Sequence, residues 1–253
     1  MSASYDFERK SSVEQIRERF DGDVDRFSSL EAGHTAAIDS RVCLDLIANC
    51  AAGRAGQMQR VLDLGCGAGN FTLKLIERLH ATQGLDAREK VEVDVTLCDL
   101  SPRMLARAAE RVGAETVGRV ETIEADMRDL ELGIEAFDAI IAGAVLHHLR
   151  GDEEWRAVFG KLHAALKRGA ALWVFDLICH DDAQVQSACW KAYGRYLVSL
   201  GGEAYRDDIF AYIEAEDTPR SLAWQGQVLR DVGFGEVEVL HKNTVMAAFY
   251  AAK

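Results

Sequence analysis

The chain has 253 residues, of which 49% are hydrophobic and 28% charged, and its formal net charge is −12 at pH 7. This composition is typical of a globular protein and excludes an intrinsically disordered chain. An acidic protein repels the phosphate backbone, so we expect no direct binding of nucleic acid. The sequence lacks a signal-peptide pattern and an uninterrupted apolar run of about 18 residues, so we expect a cytoplasmic protein without a membrane span.

The cysteines follow no ligand pattern. They stand at six scattered positions, Cys43, Cys50, Cys66, Cys98, Cys179 and Cys189. None forms a CxxC pair or a Cys/His spacing typical of zinc. We therefore expect reduced, mostly buried thiols, and the sequence assigns no metal.

The predicted elements begin with two helices. Residues 13–20 are charged and helical in pattern, and residues 33–52 repeat alanine, isoleucine, valine and leucine at helical spacing. Residues 1–57 are therefore predicted to form leading helices, and the aromatic side chains Tyr5 and Phe7 are predicted to close over a ligand as a lid.

Strands and helices alternate along most of the remaining chain. Short apolar runs predict strands over residues 60–65, 91–99, 120–125, 137–143, 170–177, 236–241 and 244–250. Amphipathic runs predict helices over residues 70–80, 102–112, 153–166 and 219–232. The alternation predicts one α/β domain over residues 1–253, with a Rossmann-like, mostly parallel seven-stranded sheet, an antiparallel last strand and helices on both faces.

Two prolines punctuate this pattern. Pro102 follows a serine and Pro219 follows a threonine, and each precedes an apolar-periodic run. Both are predicted to occupy the first turn of a helix behind an N-cap residue.

The alternation stops between residues 181 and 218, which are predicted to form a helical insertion on the rim of the sheet. Trp190, Tyr193 and Tyr196 recur there at three-residue spacing and share one helix face. Such a stripe either packs into the core or lines a substrate pocket, and both alternatives stay open.

A glycine loop follows the first strand. Gly65, Gly67 and Gly69 occupy alternate positions in the segment VLDLGCGAGN. Glycines between a strand and a helix let a ligand approach the backbone closely. The dinucleotide pattern G-x-G-x-x-G needs its last glycine where Asn70 stands, so the spacing disfavours a nicotinamide cofactor.

Asp99 ends the next strand, where a carboxylate can accept two hydrogen bonds from a ribose diol. An aspartate after a strand is also typical of a helix cap. Here Ser101 precedes Pro102 and is predicted to be the cap, which leaves Asp99 for a ligand.

Four ordered motifs, VLDLGCGAGN, CDLS, EADM and GAVLHHL, resemble those of class I S-adenosylmethionine-dependent methyltransferases. The resemblance covers residues 58–180 and implies S-adenosylmethionine as cofactor and methyl transfer to a small-molecule acceptor. The cofactor-binding residues that it implies are Asp63, Gly65, Cys66, Gly67, Asn70, Asp99, Leu100, Met104, Asp126, Met127 and Gly143.

The resemblance also implies a role for each segment. Asp63 and the glycines would contact the methionine part, and Asp99 would hold the ribose. Leu100 and Met104 would flank the adenine, Asp126 and Met127 would contact its amino edge, and Gly143 would offer carbonyls to the methionine ammonium.

Three residues are candidates on the acceptor side. His147 and His148 follow the fourth strand, and imidazole is a suitable base near neutral pH. Either histidine alternatively packs or caps a loop; His147 is the preferred catalytic candidate. Asp176, at the end of the fifth strand, either orients the acceptor or caps the following loop.

One alternative concerns the transferred group. The leading helices around Glu31 and His34, the insertion and the chain end are similar to carboxy-S-adenosylmethionine synthases of transfer-RNA wobble-uridine modification. In that family an arginine binds the added carboxylate, where this chain has Val228. Ordinary methyl transfer is therefore preferred over modification of the cofactor, because that carboxylate would stay unpaired.

Two further classes stay open: a nicotinamide oxidoreductase and a noncatalytic cofactor-binding module. The sequence also leaves open the identity of the acceptor and the oligomeric state, a homodimer being one alternative.

Overall fold

A computed structural model describes residues 5–29, 35–54 and 58–253. Its helices are α1 (Val13–Gly22), α2 (Val24–Ser28), α3 (Ser40–Arg54), α4 (Asn70–Gln83), α5 (Pro102–Gly113), α6 (Asp152–Ala165), α7 (Ala183–Glu216) and α8 (Leu222–Asp231). Its strands are β1 (Arg60–Leu64), β2 (Asp94–Asp99), β3 (Val120–Glu124), β4 (Phe137–Gly143), β5 (Leu166–Leu177), β6 (Glu236–Asn243) and β7 (Met246–Ala252).

The seven strands form one sheet in the order β3-β2-β1-β4-β5-β7-β6. Strands β1 to β5 pair in parallel, whereas β7 runs antiparallel to both β5 and β6. The predicted sheet with its antiparallel last strand is thus confirmed. The order reverses between β1 and β4, and ligands of open parallel sheets bind in the crevice at such a reversal.

Hydrophobic side chains of the central strands alternate between two buried clusters. Val61 belongs to the cluster that contains α3, α4 and α5, and Leu62 belongs to the cluster that contains α6 and α8. Trp155 and Phe159 of α6 are fully buried in the second cluster. Burial of such a side chain contributes about 1.5–3 kcal/mol, so the two clusters fix the helices on both faces of the sheet.

Only one of the two prolines, Pro102, occupies the first turn of a helix as predicted. Ser101 caps α5 by accepting a hydrogen bond from the Met104 amide at 3.0 Å, and Pro102 occupies the first turn as predicted. The prediction for Pro219 is wrong, because α8 begins at Leu222 behind the cap Ser221. The Thr218 hydroxyl donates to the carbonyl of Leu149 and is therefore not the cap.

The predicted insertion contains the long helical segment α7, which is interrupted at Gly202 with φ 81° and ψ −174°. Asp182 caps the N-terminus of α7, and Asp217 follows its last residue. Among the described helices none is long and apolar enough to cross a membrane. Of the predicted second helix, residues 33 and 34 lie outside the described residues, as does Glu31, and α3 begins at Ser40.

Candidate active site

The first cavity lies at the carboxyl ends of β1 to β4. The predicted cofactor residues that line it are Gly65, Cys66, Gly67, Asn70, Asp99, Leu100, Met104, Asp126, Met127 and Gly143. Asp63 does not line the cavity. The carboxyl edge of the sheet therefore brings four separate motifs to one site.

The glycine loop forms one wall of the first cavity. Gly65 has φ 65°, and a Cβ atom there would lie 2.3 Å from Cγ2 of Val145. Gly67 has φ 50°, and a Cβ atom there would meet no described atom within 4 Å. Gly65 is thus required by the protein's own packing, whereas Gly67 keeps the backbone open on the side where a ligand would approach.

Asp99 is held by backbone amides at the edge of the first cavity. Its Oδ2 accepts from the Gly67 amide at 2.8 Å, and its Oδ1 accepts from the Ser101 amide at 2.9 Å. Burial raises the pKa of this carboxyl, although the backbone hydrogen bonds oppose the shift. Each carboxylate oxygen has a second lone pair, so Asp99 can accept further hydrogen bonds from a diol.

Asp63 lies beneath the glycine loop, at 1% exposure. The Thr72 hydroxyl donates to its Oδ2 at 2.7 Å. Burial raises the pKa of Asp63 to about 7. Asp63 would therefore act on a ligand across the glycine loop. When its carboxyl is ionised, the buried negative charge favours a cation in the cavity above it.

Two other predicted cofactor residues are held by arginines. Arg111 donates to Oδ1 of Asn70 at 2.8 Å, and the Asn70 amide donates to the carbonyl of Phe27 at 2.9 Å. Arg128 donates to Oδ1 of Asp126 through its backbone amide and Nε, at 2.9 and 2.8 Å. Burial opposes ionisation of Asp126, but these bonds outweigh it and lower the pKa of its carboxyl.

Sequence reasoning predicted the helix over residues 13–20 but missed which side chains of the leading helices cover the first cavity. Val13, Ile16, Phe20 and Phe27 of α1 and α2 line it. The predicted lid residue Tyr5 lies elsewhere, with its hydroxyl donating to the carbonyl of Pro219 at 2.8 Å. The apolar positions of α1 are few among its charges, so the pattern predicted the helix and gave no signal for its contact surface.

The second cavity adjoins the first, and Phe20, Phe27 and Ala144 line both. Its other lining residues are Arg19, Asp23, Arg26, Ala36, Ala37, His147, Leu177, Tyr193, Asp208, Ile209, Tyr212, Ile213, Asp217 and Met246. Most of these come from α1, α2, α7, β5 and β7, and the others lie in the connections between elements. The second cavity is thus assembled from segments that are distant along the chain.

The aromatic stripe of α7 divides between the two predicted roles. Tyr193 lines the second cavity, and its hydroxyl donates to the carbonyl of Ala36 at 2.9 Å. Trp190 stacks on Phe210 with ring centroids 4.4 Å apart. Tyr196 donates to the carbonyl of Thr35 at 2.7 Å. Tyr193 thus faces the second cavity, Tyr196 anchors the insertion to the leading segment, and Trp190 packs within the insertion.

His147 and His148 lie between the two cavities. His147 lines the second cavity and His148 lines the first. The carboxylate of Asp176, which is fully buried, binds the Nδ1 of His147 and accepts from its backbone amide at 3.0 Å. Asp176 lines neither cavity and acts on His147 rather than on a ligand.

Asp217 lies beside His147 and His148, and sequence reasoning missed it. Its Oδ1 lies 3.6 Å from Nε2 of His147 and 3.3 Å from Nδ1 of His148. Burial alone lowers the pKa of His147, but Asp217 and Asp176 outweigh it and raise that pKa to about 9. Burial raises the pKa of Asp217 and lowers the pKa of His148.

Arg19 fixes the helix that bears Phe20 to the end of α7. Its Nε and Nη2 donate to the two carboxylate oxygens of Glu216, each at 2.9 Å. A bidentate pair of this kind is geometrically specific. It holds α1 against the segment that carries Asp217, so both cavities depend on the same contact.

Comparison with known proteins identifies the family. A methyltransferase-domain profile matches residues 61–169. The carboxy-S-adenosyl-L-methionine synthase of Chromohalobacter salexigens is 36% identical over 198 residues, which are 76% of this chain and 68% of that protein. The chain belongs to the class I S-adenosylmethionine-dependent methyltransferases.

Solved structures share the fold of this methyltransferase. Human N-acetylserotonin methyltransferase, solved in complex with S-adenosylmethionine, has a TM-score of 0.59 at 16% identity over 96% of this chain and 59% of its own. A methyltransferase of Aquifex aeolicus that depends on the same cofactor has a TM-score of 0.54 at 16% identity, over 91% of this chain and 97% of its own.

The first cavity fits the cofactor of this family. Gly67 leaves its backbone open, Asp99 has lone pairs for a diol, and Leu100, Met104 and Met127 give apolar surface beside them. The cofactor of the methyltransferase is S-adenosylmethionine, and its reaction is methyl transfer.

Carboxylation of the cofactor is not favoured. Val228 is 1% exposed and belongs to the hydrophobic cluster of α6 and α8. It does not line the first cavity. A side chain at this position packs in the core, and no cation stands there to pair with an added carboxylate.

Proposed function

We propose that the methyltransferase binds its cofactor in the first cavity and a small-molecule acceptor in the second, and that the methyl group passes between them beside Ala144 and the two histidines. The shared wall carries this proposal, since Phe20, Phe27 and Ala144 belong to both cavities. S-adenosylmethionine supplies a methyl group on a positively charged sulfur, so the protein needs chiefly to position the acceptor and exclude water.

The walls favour a particular acceptor. Phe20, Phe27, Tyr193 and Tyr212 offer aromatic surface, and Leu177 adds aliphatic surface. Polar groups converge at the end formed by His147 and Asp217. We infer an acceptor with an aromatic or otherwise apolar body and one nucleophilic hydroxyl, amine or thiol, which lies at this polar end.

His147, Asp176 and His148 have separate roles in this proposal. His147 contacts the nucleophilic group of the acceptor, and Asp176 is a positioning residue that fixes the ring of His147. His148, which faces the first cavity, contacts the transferring methyl region. Methyl transfer forms a bond from the nucleophile to carbon as the carbon–sulfur bond breaks, which leaves neutral S-adenosylhomocysteine, and the proton of the acceptor passes to bulk solvent when the products leave.

A side chain that fills the second cavity tests this division. In Ile213→Trp, we expect turnover to fall at least about 100-fold because the acceptor is displaced. Affinity for S-adenosylmethionine should stay within about twofold, because Ile213 does not line the first cavity. Turnover is measured as S-adenosylhomocysteine by mass spectrometry, with a panel of phenols, amines, thiols and carboxylic acids.

The matched control is Val185→Trp, on the same helical segment at 46% exposure. It should behave as the unmodified protein in both assays. Full turnover in Ile213→Trp, with circular dichroism showing a native fold, would contradict the assignment of the second cavity to the acceptor.

We also propose that the chain acts as one domain in the cytoplasm. All six cysteines are unpaired thiols, and burial raises the pKa of Cys43 and of Cys98 to about 12. Unpaired thiols are typical of a reducing compartment.

A further inference from the structure

Three ligand-type atoms meet in the wall between the cavities: Nε2 of His147, Nδ1 of His148 and Oδ1 of Asp217. All three lie within 4.8 Å of one another. Both ring nitrogens of His148 and Oδ1 of Asp217 are buried, and within the described chain neither residue has a hydrogen-bond partner for these atoms. An unsatisfied buried polar atom destabilises the folded protein, so a ligand that contacts all of these atoms would be stabilising.

The spacing of the atoms matches a shared ion. Histidine nitrogen and carboxylate oxygen bind Zn²⁺ at about 2.0–2.2 Å, so two such ligands at a tetrahedral angle lie about 3.4 Å apart. The observed separations are 3.6 Å from His147 and 3.3 Å from His148 to Oδ1 of Asp217.

Asp176 supplies the support that a histidine ligand usually has. A ligating histidine commonly donates its other ring N–H to a carboxylate, which fixes the tautomer and the ring orientation. The Nδ1 of His147 binds Asp176, so Nε2 points toward Asp217. Asp176 is itself held by the amides of His147 and Leu177 at 3.0 and 2.9 Å.

We propose that His147, His148 and Asp217 form a binding site for one divalent transition-metal ion such as Zn²⁺. Two imidazoles and one carboxylate suit this class of ion, and three protein ligands leave a fourth position for another molecule. The two carboxylates Asp176 and Asp217 balance the double positive charge.

A metal ion between the two cavities would have a catalytic use. A hydroxyl or thiol bound to such an ion loses its proton more easily, because the metal stabilises the anion. The acceptor would then meet the cofactor as a nucleophile without a protein base. This catalytic use rests on the proposed function, whereas metal binding does not.

Calorimetric titration with Zn²⁺ tests the site. The full-length protein is first dialysed against a chelator, and the titration contains neither S-adenosylmethionine nor acceptor, so its outcome is independent of the proposed function. We expect one equivalent to bind. Asp217→Asn and His148→Gln should each weaken binding at least tenfold, and Asp176→Asn should weaken it about 10- to 100-fold.

Two substitutions serve as matched controls. Asp208→Asn removes an exposed carboxylate of the second cavity, and His180→Gln removes a histidine that contacts Gln186 instead of the cluster. Both should bind Zn²⁺ as the unmodified protein does.

A thermal assay provides a second readout. One bound equivalent of Zn²⁺ should raise the Tm of the unmodified protein and leave that of folded Asp217→Asn unchanged. The metal site is refuted if the folded, unmodified protein shows no saturable binding. It is equally refuted if Asp217→Asn and His148→Gln bind Zn²⁺ like the controls, in which case the three side chains are only a polar contact between the cavities.

Discussion

The two cavities are built in different ways. The first is lined chiefly by loops that follow consecutive parallel strands, and backbone amides fix its central carboxylate, Asp99. The second is lined by α1, α2, α7 and the strands β5 and β7, and ion pairs such as Arg19 with Glu216 hold these segments together. The sheet itself therefore defines most of the first cavity, whereas tertiary contacts between appended helices define the second cavity.

This difference has a consequence for specificity. A site at strand ends keeps its shape when surface helices change, so it suits a cofactor common to a family. A site between appended helices changes with their sequence, so it suits an acceptor particular to one enzyme. Substitutions in the two cavities should therefore separate cofactor binding from turnover.

The largest expected effect is on turnover. In His147→Ala, we expect turnover to fall at least about 100-fold, since the polar end of the second cavity is lost, while S-adenosylmethionine affinity stays within about twofold. S-adenosylhomocysteine production and calorimetry measure the two quantities. Equal losses in both would make His147 part of the cofactor site and would remove the distinction between the cavities.

The next effect is on cofactor binding. Asp99→Ala should raise the Kd for S-adenosylmethionine at least tenfold, because two hydrogen bonds to a charged acceptor are lost, about 1.5 kcal/mol or more. Asp94→Ala is a control on the same strand, where the carboxylate is exposed and accepts from the Arg119 amide. Unchanged affinity of Asp99→Ala in calorimetry would refute the ribose assignment.

A third effect is a pH dependence of the Kd for S-adenosylmethionine. Burial raises the pKa of Asp63 to about 7, and a cationic cofactor above it favours its ionised form. Below that pH, binding must expel a proton. The Kd should therefore fall as pH rises, by up to about tenfold between pH 6 and 8.

Calorimetry across this range measures the dependence, and proton release near pH 7 is measured in buffers of different ionisation enthalpy. Asp63→Asn should bind with a nearly constant Kd. A slope that persists in Asp63→Asn would assign the titration to another group.

The smallest expected effect is on stability. Ser101 caps α5 and donates from its hydroxyl to Asp21 of α1. Ser101→Ala should cost about 1 kcal/mol and lower the Tm by about 2–4 °C. Asp21→Ala removes the contact with α1 and keeps the cap, so a thermal scan should show a smaller decrease. An equal decrease would mean that the contact with α1, rather than the cap, provides the stability.

Much of the fold was predictable from local sequence. Glycine turns and apolar runs located the strands, and Pro102 behind Ser101 located the start of α5. The same reasoning gave a wrong prediction at Pro219. Threonine commonly caps helices, but Thr218 donates hydrogen bonds to the distant carbonyls of His147 and Leu149. A local pattern cannot reveal a competing partner about 70 residues away.

The sequence alone determined the sheet and the loops that line the first cavity, because strand period, glycine spacing and the acidic residues at strand ends are encoded within short segments. Tertiary structure decided the rest. Phe20 covers the first cavity, and Asp217 meets His147 from 70 positions along the chain, only because the appended helices pack across the sheet edge. Such contacts depend on the packing of whole elements, which no local spacing records.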